Sequence, residues 1–257
     1  MCLIAFSYKT HPIYKLILIA NRDEFYSRPT RKAQFWTDEG EPNIVAGKDL
    51  KANGTWMGIH RFGRWGALTN YRDLNNIKEN APSRGSLVLD YLKQEEQPLK
   101  HLNELKHDAN QYNGFNLLIG NKDKLLHYSN ESDVITEIEP GIHGVSNALL
   151  NTSWPKLDKA KIKLERVISQ EDIDKEELFE ILKNSEKAPD HKLPSTGMSK
   201  ELEKAVSSIF IRTENYGTLC SSILLVDYEG NADFTERRYN PNTSEIIDEN
   251  TFKLVFS

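Results

Sequence analysis

The chain is short of the features that announce a specialised protein. Of its 257 residues only two are cysteine, Cys2 and Cys220, so one bridge is the most it could form and a disulfide-built secreted scaffold is excluded. Long apolar runs are missing too. Leu16-Ile17-Leu18-Ile19-Ala20 is five residues long and follows Lys15. That is too short for a membrane span or a signal-peptide core, and the chain reads as cytoplasmic. A net charge of −5 with no basic tract gives no reason to expect nucleic acid as a partner. No glycine-rich phosphate loop, Gly-x-Ser-x-Gly or Cys-x-x-Cys occurs, and the seven histidines show no His-x-x-x-His spacing. Nucleotide binding, the usual serine hydrolase signal and a metal site are therefore unsupported, and no cofactor is expected.

What is present is ordinary globular sequence, 38% hydrophobic and 28% charged. Residues 3–8 and 15–20 read as a hairpin around Thr10-His11-Pro12, after which residues 21–29 leave the strand in a dense group of charges. A second hairpin spans residues 55–60 and 64–69, and a third spans 115–119 and 125–129. Shorter strands are expected at 134–138 and 141–146. Helical periodicity predicts two helices between 84 and 112, one over 154–169 with apolar positions at Leu157, Ala160, Ile162, Leu164 and Val167, and another over 176–183. Residues 184–200 form the longest expected loop and the best linker candidate. Strands at 207–212, 218–227 and 232–238 follow, with a possible edge strand at 252–256. Strands, helices, strands and helices again with hairpin connections point to an α+β fold of antiparallel sheets, taken as one domain over residues 1–257.

Cys2 carries the chemistry of most interest. Removal of Met1 would leave a thiol nucleophile and a free α-amine on one residue, and an α-amine titrates near pH 8, close enough to neutrality to serve as base. The alternative is a small buried hydrophobe opening the first strand. Four further segments place polar groups at strand ends. Asn21-Arg22-Asp23-Glu24 offers a cation to favour thiolate and carboxylates to orient an amine, or else a salt-bridged surface turn. Asn70 and Asn147 offer amide donors suited to an oxyanion, and each is equally an ordinary strand-to-loop residue. Tyr216-Gly217-Thr218 leads into the strand holding Cys220. Arg72, with Arg61 and Arg64, flanks the Trp56/Trp65 hairpin, either binding an anionic group or standing as rim charge.

Taken together, Met1-Cys2-Leu3-Ile4, Asn21-Arg22-Asp23-Glu24, Gly54-Thr55-Trp56-Met57-Gly58, Leu68-Thr69-Asn70, Gly144-Val145-Ser146-Asn147-Ala148-Leu149, Tyr216-Gly217-Thr218 and Phe234-Thr235-Glu236-Arg237 occur in a telling order. The chain resembles the NRDE proteins, also called the transport-and-Golgi-organisation family, nearly end to end. That family looks like the cysteine branch of N-terminal nucleophile hydrolases, which includes bile-salt hydrolase, penicillin V acylase and acid ceramidase. The resemblance implies a four-layer αββα sandwich of two antiparallel sheets. It also implies Cys2 as nucleophile, Arg22 and Asp23 as the groups tuning thiol and amine, and Asn70 and Asn147 as oxyanion donors. One departure is that Arg22 and Asp23 are adjacent where the hydrolases have Arg-x-x-Asp; strand alternation would split them, so Asn21 or Glu24 stands as a substitute. Another is Leu219, where relatives carry an Arg, leaving Arg212, Arg237 or Arg238 to supply a late cation.

Two uses of such a cleft follow. One is hydrolysis of a linear N-acyl amide by Cys2. The other is non-catalytic binding of haem or an acyl lipid, suggested by the family's links to haem trafficking and lipid homeostasis. In that case Trp56, Met57, Phe62 and Trp65 would line the pocket and Cys2, His11, His60 or His143 would supply an axial ligand, without covalent attachment. The partner in either case is a small amide or hydrophobic molecule.

Overall fold

Strand β1 (Cys2–Tyr8) buries six consecutive residues after Cys2. Such a strand needs cover on both faces. Leu3 and Ala5 pack into one apolar core, and Ile4, Phe6 and Tyr8 pack into another. The computed structural model, which describes residues 2–256, shows what provides the cover; Met1 lies outside the described residues. After β1 come β2 (Tyr14–Phe25), β3 (Thr30–Trp36), β4 (Glu41–Asp49), β5 (Met57–His60) and β6 (Trp65–Asn70). Helices α1 (Gly85–Lys93) and α2 (Pro98–Asp108) precede β7 (Phe115–Gly120), β8 (Leu125–Ser129), β9 (Val134–Glu137) and β10 (Gly141–Val145). The chain continues through α3 (Pro155–Ile168), α4 (Lys175–Leu182), α5 (Lys200–Ala205), β11 (Tyr216–Asp227), β12 (Asn231–Tyr239) and β13 (Ile246–Val255).

Every named pairing is antiparallel. One sheet has six strands in the order β10-β1-β2-β11-β12-β13, and the other has seven, β3 to β9 in chain order. Ile4, Phe6, Leu18, Met57, Trp65, Leu118 and Phe234 fill the space between them. Leu157 and Leu164 of α3 and Leu178 and Phe179 of α4 cover Leu3, Ile17 and Ile19 on the outer face of the six-stranded sheet. Val88, Tyr91 and Leu102 of α1 and α2 cover Ile44, Leu117 and Tyr128 on the seven-stranded one. The layers run α, β, β, α, as the resemblance implied. Each fully buried leucine in these contacts contributes roughly 2 kcal/mol. Among the described residues no helix is long and apolar enough to cross a membrane.

Several local expectations are corrected. Residues 21–25 do not leave the strand; β2 continues through them to Phe25 because β1 and β11 pair with it on both sides. Strands β3 and β4 had no clear signal in the sequence. Residues 207–212 are largely buried but make only an isolated bridge, Arg212 with Gly217, so they pack without joining a ladder. In α3 the buried stripe is Leu157, Ala160, Leu164 and Val167, and Ile162 falls on the opposite side at 63% exposure. The stretch 184–200 is tied to its surroundings, since the Phe210 N–H donates to the Asn184 carbonyl and the Ala188 N–H to Ser207.

Candidate active site

Cys2 stands first in β1, half-buried and free, opposite Arg22 of β2. Arg22 in turn is opposite Cys220 of β11, and Cys220 is opposite Arg238 of β12. Directly opposed residues share a face, so Cys2, Arg22, Cys220 and Arg238 form one row across four strands. The two thiols are two strand spacings apart, about 9.5 Å, which is beyond disulfide reach and rules out the single bridge the composition allowed.

Arg22 is buried. Its Nη2 lies 3.5 Å from Asp49 and 3.8 Å from Glu24, and its guanidinium sits 4.4 Å over the Trp56 ring. Nη1 has no hydrogen-bond partner among the described residues. Gly47 leaves room for this stack, since a Cβ there would come within 2.3 Å of the indole. Glu24 lies at the rim, with Oε1 accepting from the Phe25 N–H.

Alternation along β2 sends the next residue the other way. Arg22 shares the inter-sheet face with Leu18 and Ala20, while Asn21 and Asp23 share the helix-covered face with Ile17 and Ile19. Asn21 is structural in this geometry: its Nδ2 donates to the Leu182 and Ile209 carbonyls and its Oδ1 accepts from Ser221. Asp23 is held by the Tyr216-Gly217-Thr218 segment, where β11 bulges between Thr218 and Cys220. The Thr218 hydroxyl donates to Asp23 Oδ1 at 2.6 Å while accepting from the Ile211 N–H, and the Tyr216 hydroxyl donates to the Asp23 carbonyl. Bulges re-aim side chains, and this one delivers Thr218 to the carboxylate.

Burial pushes the Asp23 carboxyl up, opposed first by the Lys156 ammonium and then by Thr218 and Arg22. Burial likewise pushes the Cys2 thiol up, and the Asp23 charge adds to this while the Asp23 amide and Arg22 act the other way. A thiol held protonated near neutrality needs a base to react.

Asn70 ends β6 of the other sheet, and Asn147 lies two residues past the end of β10. Asn147 Nδ2 donates to the Asn70 carbonyl at 2.8 Å, the Arg72 N–H donates to the Asn147 carbonyl, and the neighbouring Ser146 hydroxyl donates to the Cys2 carbonyl. These bonds seam the end of β6 to the head of β1. An amide nitrogen has a second proton, which is the one available to an oxyanion. Asn116 extends the seam: its Nδ2 donates to Thr69 and to the Ala148 carbonyl, while its Oδ1 lies 3.1 Å from His127 Nε2.

His127 is buried, which lowers its pKa from 6.5 to about 4. The unfolded chain therefore takes up this proton first as pH falls, and stability drops between about pH 6.5 and 4 by about 3 kcal/mol. Urea unfolding midpoints across that range should show the loss, and His127→Gln should flatten it; an unchanged acid limb in the variant would refute the assignment.

Two expected binding residues have other surroundings than the rim or cleft they were assigned. Arg72 is not a rim charge: it is buried, pairs with Glu203 at 2.6 Å and lies 4.9 Å over Trp154, because α5 brings a carboxylate onto it. Trp65 is core, and it also lines a cavity with Tyr8 and Phe256 at the far end of β1, about 20 Å of strand from Cys2. Of the late cations, Arg237 is tied to Glu176 and Glu249, and Arg212 donates to the Asn242 carbonyl; Arg238 is the one in the row with Cys2. Sequence reasoning missed Lys156 and Glu203. The only signal for Lys156 was its place just after the proline that opens a helix, a position that ordinarily disfavours a cation, and Glu203 had none.

The family model for Transport and Golgi organisation 2 matches residues 1–241. The mouse Transport and Golgi organization 2 homolog is 35% identical over 99% of this chain and 99% of its own length. The human homolog is 37% identical over 92% of each, and the Drosophila melanogaster protein 30% identical over 92% of this chain and 91% of its own. Among solved structures, a mutant conjugated bile acid hydrolase from Clostridium perfringens aligns with TM-score 0.52 at 10% identity, covering 100% of this chain and 98% of that one. A second variant of that hydrolase gives 0.51 at 12% identity, covering 98% and 97%. At such identity the likeness shows the fold alone, the αββα sandwich that this chain shares with that hydrolase.

Proposed function

The chain belongs to the Transport and Golgi organisation 2 family, whose name specifies no reaction, and on that footing we propose that it is a cysteine amidohydrolase acting on linear N-acyl amides. The observation that carries this is the placement of Cys2: at the head of a strand paired on both sides, opposite Arg22, against the Asp23 amide and seamed to Asn147 and Asn70. In the proposed reaction, which requires loss of Met1, the Cys2 sulfur attacks the amide carbonyl carbon as the α-amine of Cys2 takes the thiol proton. The oxygen gains the electron pair, held by the Asn70 amide and the remaining Asn147 N–H. Collapse breaks the C–N bond, the ammonium returns its proton to the leaving nitrogen, and a thioester remains. Water then attacks, giving a proton to the amine, and the carboxylic acid leaves as the thiol is restored. Asp23 orients the amine, and Arg22 with Arg238 supplies positive charge in the row.

For the haem alternative, hydrogen bonding occupies His11 and His143 more fully than His60. Both ring nitrogens of His11 and His143 are engaged within the protein, as is Nδ1 of His60.

Intact mass of the purified protein should show loss of Met1. Rapid acid quenching during turnover of an N-acyl amide panel should leave an acyl group on the Cys2 peptide that hydroxylamine removes. Retention of Met1, or no turnover across short and long acyl chains, overturns the proposal.

A further inference from the structure

Lys156 occupies a position that physical chemistry makes hostile to a cation. It is 3% exposed and sits in the first turn of α3, a fourteen-residue helix opened by Pro155, where the positive end of the helix dipole adds to the penalty of burial. No apolar contact requires an amine there. Its surroundings do: the charged and titratable groups facing it are Asp23 of β2, Arg72 after β6, Cys2 of β1 and Glu203 of α5. Two carboxylates and a thiol thus converge on two cations, and one of those cations, Arg72, is already paired with Glu203. Lys156 Nζ also lies 3.5 Å from Asn147 Oδ1. Through that contact it bears on the amide whose Nδ2 is tied to Asn70.

We propose that Lys156 is a positioning residue for Cys2, its buried ammonium holding Asp23 as a carboxylate, fixing the Asn147 amide and favouring the Cys2 thiolate from the helix-covered side. This rests on Cys2 being the reacting group in the proposed function. Lys156 touches no substrate atom in this role; it sets the charge of the groups that do. Burial lowers its pKa to about 8, with Asp23 the largest opposing influence and Arg72 adding to the fall. Its proton is therefore lost in the range where a cysteine nucleophile works, and with it the charge that supports Asp23 and the thiolate.

The test reads Cys2 directly and does not depend on turnover. Iodoacetamide alkylation of Cys2, followed by mass of the N-terminal peptide, is measured between about pH 6.5 and 9.5 for the processed wild-type protein, K156M and K156R. The α-amine titrates in all three, so the variants isolate Lys156. K156M is expected to alkylate about tenfold more slowly near neutrality. K156R keeps a charge that cannot be lost in this range, so it should match wild type near neutrality and exceed it above about pH 8. A K156M rate within about twofold of wild type, in protein whose circular dichroism and melting are native, overturns the proposal. Should K156M not fold, an alkaline limb in K156R that superimposes on wild type overturns it equally. Failure of every acyl amide to turn over would count against the amidohydrolase and leave this profile readable.

Discussion

Cys2→Ala is expected to lower acyl-amide hydrolysis by about 10⁴-fold or more, to the background of a site that still binds but has no nucleophile. The fold should survive the change. The hydroxyl of Ser146 bonds to the backbone carbonyl of Cys2, not to its sulfur, and the strand pairing with Arg22 is likewise made by the main chain. The melting temperature should move by no more than about 2 °C. Loss of activity with an intact melt assigns the thiol to chemistry; activity within tenfold of wild type would remove Cys2 from the mechanism. Cys220→Ser is the informative contrast. Cys220 stands in the same row, but it is buried in mid-strand and carries no α-amine of its own to take its proton.

Gly54→Ala is expected to destabilise the protein by about 3 kcal/mol, at the upper end of overpacking effects. A Cβ on Gly54 would come within 2.4 to 2.8 Å of the carbonyl carbon, oxygen and Cα of Gly85. These are backbone atoms, so no rotamer change relieves the clash. The Thr55 N–H donates to the Gly85 carbonyl at this crossing, which pins the start of α1 against the segment carrying Trp56. Separating the two would shift Trp56 off Arg22 as well as loosen α1. Thermal melting should show a fall of roughly 8 °C for a chain of this size. A melt within about 2 °C of wild type would mean that the two backbones can part without loss. The glycine that opens Gly54-Thr55-Trp56-Met57-Gly58 is thus explained by a close approach of main chains, not by a turn.

Much of this architecture could be read in advance where the local pattern was strong. The hairpins built on Leu3 to Ala20, Met57 to Thr69 and Phe115 to Ser129 are apolar runs broken by turn residues, and they form as expected. Strand β4 was not legible because Pro42 and Gly47 interrupt it and its pairing with β3 is irregular. Asn21-Arg22-Asp23-Glu24 looks like a solvated turn, since four polar residues in succession normally avoid a sheet interior. One neighbouring strand on each side, β1 and β11, turns it into strand, and Thr218, more than 190 residues away, bonds the carboxylate. Lys156 and Glu203 were invisible for the same reason: each is meaningful only beside a partner from a distant segment.

By itself the sequence determined which chemistry is on hand: a cysteine next to Met1, an adjacent arginine and aspartate, two strand-end asparagines, and no phosphate loop or metal spacing. It also pointed to antiparallel sheets joined by hairpins, while the four layers were implied by the family resemblance. The tertiary structure alone decided which groups meet. A strand's alternation is local and fixes only that Arg22 and Asp23 point apart, whereas the identity of each face comes from what packs on it. The second sheet lies on the Arg22 side and α3 on the Asp23 side, so one residue joins the row with Cys2 and the other joins Thr218 and Lys156.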